Sequence, residues 1–248
     1  MYEDGRKRSG NVRIIKENLS KFYGGKILDV GTGRGDFIKL LSENLRGYDK
    51  IVGIDIHEEI LDATREKLHT KNVELIKMDG ENMDFEDESF DAVCLSNTLH
   101  HLSDKTKVIE EMKRVLKTNG IFIINEMFCD HQNEAQMSHV YVHHIGADID
   151  MITNRMNHNY TYRREEIKEI IRSQGIKILD AFEFKYSDEI STNTDEFEEI
   201  YTAVGKRIEN IKQSPRYEEI KKRFEDLKEW MNKYGLAGAT QLMIIGKK

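Results

Sequence analysis

The run Ile27-Leu28-Asp29-Val30-Gly31-Thr32-Gly33-Arg34-Gly35-Asp36 carries an apolar strand through a glycine-rich bend into a helix. Alternate glycines suit a backbone that must pass close to a ligand through torsions a Cβ would forbid. The spacing is G-x-G-x-G, not the G-x-G-x-x-G of dinucleotide binders, and Asp29 stands just before the bend. A carboxylate in that position pairs with an ammonium group and repels a pyrophosphate, so the predicted ligand has a cationic end. Two further carboxylates close the next two strand-like runs. Asp55 lies twenty residues past Gly35, where a carboxylate accepts hydrogen bonds from both hydroxyls of a ribose, the alternative being an ordinary strand-end turn residue. Asp79, in Met78-Asp79-Gly80-Glu81-Asn82, is placed to receive an exocyclic amine. Three carboxylates at three successive strand ends are expected to converge on one crevice.

Histidine is the second chemical signal. Five of the nine histidines, His131, His139, His143, His144 and His158, fall within residues 128–160. On a helix through residues 134–156, His139 and His143 share a face, with Asp150 about two turns further on. They suit a general base, a metal site, or plain solvated imidazoles on a polar face; contact with substrate is preferred to a metal, and no metal is expected. His100 and His101 follow the fourth strand, one structural and the other a candidate to face substrate. Glu126 and Asp130 are further candidates for substrate or metal contact on position alone, and Tyr160 and Tyr162 are candidates to wall the pocket, with aromatic core packing an equal alternative.

Strand and helix periods alternate from about residue 26 to residue 183, which predicts a parallel α/β sheet with crossover helices. Strands are expected at residues 27–30, 51–56, 73–78, 90–96, 121–125, 176–183 and 240–245. The helix before residue 121 is expected to stop at Asn119-Gly120, glycine taking positive φ as a C-terminal cap. Residues 128–160 interrupt the rhythm and are read as a substrate-side insertion. Residues 195–234 read as two amphipathic helices separated by Ser214-Pro215, whose apolar stripes must pack on each other, on the sheet, or on a second subunit. The expected organisation is one domain over residues 1–248 carrying both insertions, as a monomer or homodimer.

Composition narrows the partners. The formal net charge is -7, from 38 basic and 45 acidic residues with no long basic run, so a nucleic-acid backbone gains no general attraction. Cys94 and Cys129, far apart and without C-x-x-C spacing, fit a reducing compartment, and the expected location is cytoplasmic. Residues 1–11 are polar and charged, and nowhere do about 18 apolar residues run together, so neither export nor membrane insertion is expected.

The glycine bend, Asp55 and Asp79 are joined by Phe90-Asp91-Ala92-Val93, Asn97-Thr98-Leu99-His100-His101-Leu102 and Arg114-Val115-Leu116-Lys117-Thr118-Asn119-Gly120. Together they make residues 26 to about 125 resemble the class I S-adenosylmethionine-dependent methyltransferases, small-molecule branch. Members of that family commonly have proline and glycine where Thr118 and Asn119 stand. The resemblance implies a Rossmann-like seven-stranded, mostly parallel sheet with the last strand antiparallel and helices on both faces. It implies S-adenosyl-L-methionine as cofactor and S-adenosyl-L-homocysteine as product. The cofactor's methionine would lie near Gly31, Thr32, Gly33 and Gly35 with Asp29, its ribose on Asp55, its adenine beside Ile56, Asp79, Gly80 and Glu81, and its sulfonium near Ser96 and Asn97. The implied activity is methyl transfer to an O, N or S atom of a small metabolite, with His143, His139 and His100 as the candidate catalytic groups.

Strand four ends in Ser96-Asn97-Thr98-Leu99, not the N-P-P-Y type of tetrapeptide that resembling enzymes use on nucleobase amines, which disfavours such substrates. A noncatalytic S-adenosylmethionine sensor or assembly subunit is the main alternative. Protein or RNA methylation and nicotinamide-dependent oxidation are more distant.

Overall fold

The computed structural model describes residues 11–248, so most of the charged N-terminal stretch that bears on export lies outside the described residues. The chain divides into two compact units. The sheet unit holds residues 11–126, Glu165–Phe184 and Gln241–Lys248; the helical unit holds Met127–Arg164 and Lys185–Thr240.

In the sheet unit seven strands, β1 (Lys26–Val30), β2 (Lys50–Asp55), β3 (Val73–Lys77), β4 (Phe90–Ser96), β5 (Leu116–Met127), β6 (Lys177–Phe184) and β7 (Gln241–Lys247), lie in the order β3-β2-β1-β4-β5-β7-β6. Six run parallel and β7 pairs antiparallel with β6, as the resemblance implies. The parallel core strands are near-continuous apolar runs because both faces are covered, and Ile27, Ile51, Ala92, Cys94, Ile123 and Met243 share one buried cluster. Helices α1 (Asn11–Leu19) and α2 (Asp36–Asn44) add Ile15, Leu19, Phe37, Ile38 and Leu41 to that cluster. The remaining helices of the unit are α3 (Glu58–Lys67), α4 (Lys105–Val115) and α6 (Arg164–Ser173), with a single 3-10 turn at Leu99–His101. Gly175, at φ +76°, closes α6 as its position predicts.

The sequence expectation for Gly120 is overturned. Helix α4 ends five residues earlier, at Val115, with Leu116 already extended, and Gly120 is not among the residues with positive φ. Leu116 pairs with Phe90 while Ile121 pairs with Ala92, so residues 117–120 bulge out of the ladder. Glycine is required at 120 for close approach: a Cβ there would come within 2.8 Å of the Asp91 carbonyl oxygen.

The helical unit is built on α5 (Glu134–Thr153), α7 (Thr194–Glu209) and α8 (Tyr217–Tyr234). The apolar stripes read from the sequence close on each other and on Ile145 and Ile149 of α5, so the two insertions form one core: Phe197, Tyr201, Val204 and Ile208 of α7 meet Ile220, Phe224, Leu227 and Met231 of α8. Two buried carboxylates of α5 pin the hairpin. Asp148 accepts from Arg216 (2.7 Å), Arg223 (2.5 Å) and the Tyr160 hydroxyl (2.6 Å), and Asp150 accepts from Arg207 (2.7 Å). Burial pushes the Asp148 carboxyl up, but those hydrogen bonds outweigh it and hold the group below the usual carboxylate range.

Helix α5 starts in a capping box. The Asn133 side chain accepts from the Gln136 N–H at 2.9 Å, and the Gln136 side chain accepts from the Asn133 N–H at 3.1 Å. Asn133→Ala is expected to cost about 1 kcal/mol of folding stability, read as a lower urea midpoint; an unchanged midpoint would mean the cap contributes nothing. Among the described residues, no helix is long and apolar enough to cross a membrane.

Candidate active site

The strand order reverses direction between β1 and β4, and in open parallel sheets the crevice outside the carboxyl ends at such a reversal is where ligands bind. Asp29 lies near the end of β1, opposite Cys94 of β4, and is 1% exposed. Its Oδ2 accepts from the Thr32 hydroxyl at 2.7 Å, while Oδ1 is buried with no hydrogen-bond partner among the described residues. Burial, opposed by the Thr32 bond and helped by the nearby Asp55 charge, pushes this carboxyl up to about 7. A buried carboxylate oxygen without a donor is costly, and a ligand cation is the partner that would relieve it. Cys94, fully buried, has its thiol pushed well above the ordinary range by burial and by Asp29, as expected of an inert core cysteine.

The bend itself takes three positive-φ glycines, Gly31 (+69°), Gly33 (+50°) and Gly35 (+76°). At Gly31 a Cβ would meet the Thr98 side chain at 2.5 Å, whereas around Gly33 there is open space, as an approaching ligand requires. Asp55 holds the bend from the next strand: Oδ2 accepts from the Gly33 N–H at 3.0 Å and Oδ1 from the His57 N–H at 3.0 Å. Each oxygen keeps a lone pair for a further donor. Ile56, next in sequence, is apolar yet 54% exposed. Asp79 is exposed and accepts from the Glu81 N–H at 2.8 Å through one oxygen. The backbone at Gly80 runs close to Val30, so β1 and the β3 loop are brought together. The Glu81 carboxylate is engaged elsewhere, by Ser103 at 2.8 Å and Lys107 at 3.5 Å.

At the end of β4, Asn97 has φ +46°, a strained value for a residue with a Cβ and of the kind that collects at functional sites. Its N–H donates to the Asn125 carbonyl (2.8 Å), and Asn125 Nδ2 donates to Ser96 Oγ (2.9 Å). The sheet unit therefore brings Asp29, Gly31, Thr32, Gly33, Gly35, Asp55, Asp79, Gly80, Ser96 and Asn97 to the carboxyl ends of β1 to β4.

Comparison with known proteins gives the same picture. Residues 28–124 match the methyltransferase domain family. The demethylmenaquinone methyltransferase of Staphylococcus haemolyticus is 36% identical over 113 residues, 45% of this chain and 47% of that one. The Bacteroides fragilis demethylmenaquinone methyltransferase is 29% identical over 164 residues, 64% of this chain and 66% of that one. This chain thus spans about half the length of the first of these relatives. A SAM-dependent methyltransferase from Aquifex aeolicus superposes with a TM-score of 0.55 at 24% identity, over 73% of this chain and 88% of that chain. Over residues 28–124 the chain is thus similar to methyltransferase domains.

Two further hydroxyls hold the glycine bend. The Thr98 hydroxyl lies 2.9 Å from the Ser96 carbonyl oxygen and 3.2 Å from that of Gly31, tying β4 to the glycine bend. Thr64 of α3 lies 2.7 Å from the Ile60 carbonyl oxygen and 3.0 Å from that of Gly33. The second contact of each pair spans more than thirty residues, and no motif signals it.

His100 is 1% exposed, with Nδ1 2.7 Å from Glu126 Oε1, and the other Glu126 oxygen accepts from the Leu99 N–H at 3.0 Å. Glu126 is thus an orienting group for the 3-10 turn. The two other expected histidines stand on α5 of the helical unit, and neither is a lone imidazole on a polar face. His139 Nδ1 accepts from the Ala239 N–H at 3.0 Å, and burial lowers its pKa. His143 Nε2 lies 3.2 Å from His158 Nε2, and His158, not His143, pairs with Asp150. His144 is 2.9 Å from the Thr161 hydroxyl and stacks on Tyr160 at 4.2 Å, which accounts for that ring by packing. Asp130 caps backbone, accepting from the Arg164 N–H at 2.8 Å.

Proposed function

We propose that this protein moves a methyl group from S-adenosylmethionine to a nucleophilic O, N, S or ring-carbon atom of a small molecule. The observation that carries the reading is the buried, donor-less Oδ1 of Asp29 beside an open glycine bend, with Asp55 and Asp79 at the neighbouring strand ends. These residues fit the cofactor. Asp29 and the bend would hold its methionine end, Asp55 its ribose, and Asp79 with the exposed Ile56 its adenine, while Ser96 and Asn97 stand at the end of β4. When bound, the cofactor supplies an electrophilic methyl on a sulfonium, so no covalent protein intermediate is needed.

The protein's own contribution is to orient the acceptor, exclude water and take a proton where the acceptor carries one. His100 is the group we propose for that last role. With Nδ1 tied to Glu126, the neutral ring keeps its proton there and leaves Nε2 as the basic atom. His139 is set aside, because its Nδ1 lone pair is already used by the Ala239 N–H.

The relatives named for demethylmenaquinone make that compound the first acceptor to test, with small phenols, amines and thiols beside it. Calorimetry with S-adenosylmethionine is expected to show one site per chain, and S-adenosylhomocysteine should appear when an acceptor is added. A folded protein that does not bind S-adenosylmethionine would overturn the reading. Binding without turnover on any acceptor would favour a sensor.

A further inference from the structure

On α5 and the segment after it, two imidazoles meet nitrogen to nitrogen. His143 Nε2 and His158 Nε2 are 3.2 Å apart, with the rings crossing at 83°. His158 is buried, and its Nδ1 lies 2.8 Å from Asp150 Oδ2. The other oxygen of that buried carboxylate accepts from Arg207 at 2.7 Å. Asp150 is thereby held from both sides, and it holds the His158 proton on Nδ1. The lone pair of His158 Nε2 is left facing the same atom of His143.

We infer that His143 and His158 are two ligands of a site for a divalent transition metal ion of the zinc class. Two nitrogens on one zinc, each about 2.0–2.1 Å from it, stand about 3.3 Å apart at a tetrahedral angle, close to the separation seen. A carboxylate on the far nitrogen of a ligating histidine is the usual outer shell of such sites, and here Arg207 secures the carboxylate in turn. Imidazole donors select zinc, copper, nickel or iron over magnesium and calcium, which take oxygen. Without an ion the same separation is bridged by one N–H···N bond, which puts a proton on His143 Nε2. Metal binding moves that proton to Nδ1, with no net change in protonation. This inference does not depend on methyl transfer.

The test uses the full chain, stripped with a chelator and titrated with zinc sulfate by calorimetry and with cobalt chloride by visible absorption. One zinc per chain is expected, and magnesium chloride should give no signal. His143→Ala and His158→Ala should each weaken zinc about 100-fold or more, and Asp150→Asn roughly 10–100-fold. His139→Ala, four residues from His143 on the same helix, should leave zinc affinity unchanged. Circular dichroism checks each fold, and if His158→Ala unfolds, His143→Ala carries the test. No zinc binding to the folded chain, or binding that survives His143→Ala, would overturn the inference. Titration of the same samples with S-adenosylmethionine keeps the two readings apart, since zinc binding can fail while cofactor binding persists.

Discussion

Asp55→Ala is expected to weaken S-adenosylmethionine binding about 100-fold or more, the largest loss of cofactor affinity foreseen for a single residue. A carboxylate that receives two ribose hydroxyls makes two charge-assisted hydrogen bonds, each worth about 1.5–3 kcal/mol. Asp55 also receives the Gly33 and His57 N–H groups, so truncation loosens the bend as well as removing the acceptor. Asp55→Asn separates the two contributions. It keeps one carbonyl oxygen for one of the two backbone N–H groups and sets an amide donor against the other, so it should lose less affinity than alanine at a modest cost in stability. Calorimetry with S-adenosylmethionine and a urea melt of each variant provide the readouts. Unchanged affinity in a folded Asp55→Ala protein would remove the cofactor assignment altogether.

Asp29→Asn is expected to change both pH behaviour and affinity. In the absence of ligand the Asp29 carboxyl is pushed from an ordinary 3.8 up to about 7, chiefly by burial. A carboxyl whose folded value is raised binds its proton more tightly in the folded state. Its stabilising contribution is complete below about pH 4 and is lost as pH rises through about 7. Between pH 5 and 8 the parent should therefore lose on the order of 1–3 kcal/mol of stability that Asp29→Asn does not lose. The comparison is made by urea denaturation at several pH values, and identical slopes for the two proteins would refute it. The ligand works in the opposite sense. A cationic group beside Oδ1 favours the carboxylate, so binding should release a proton near pH 7, and affinity should fall as pH drops below that value. Calorimetry in buffers of different ionisation enthalpy counts the proton. Asp29→Asn should bind roughly 10–100-fold more weakly and release none.

The part of the site that could be read in the chain is the part written in consecutive residues. A strand, a glycine bend and a helix follow one another within ten positions, and the carboxylates at 29, 55 and 79 mark strand ends whose neighbourhood follows from parallel topology. The capping box at Asn133 and Gln136 is equally local, its N-x-x-Q spacing marking the start of α5. Gly120 shows where local reading fails. An Asn-Gly pair after a helical stripe suits a helix cap, yet the bulge between Leu116 and Ile121 and the nearness of Asp91 decide what that glycine does.

The histidines lie beyond local reading for the same reason. Helical spacing paired His139 with His143 and looked to Asp150 for a partner, but His139 is claimed by a backbone N–H a hundred residues away. Asp150 turns to His158 and to Arg207, fifty-seven residues on.

By itself, then, the order of residues determined the sheet, its bend and the three acidic strand ends, because hydrophobic period and glycine torsion act over a few neighbouring positions. Tertiary structure alone decided which oxygen of Asp29 is left without a donor, which imidazoles touch, and that residues 128–160 and 195–234 share one core. Those outcomes turn on burial and on hydrogen bonds between segments far apart in the chain, where no spacing rule applies.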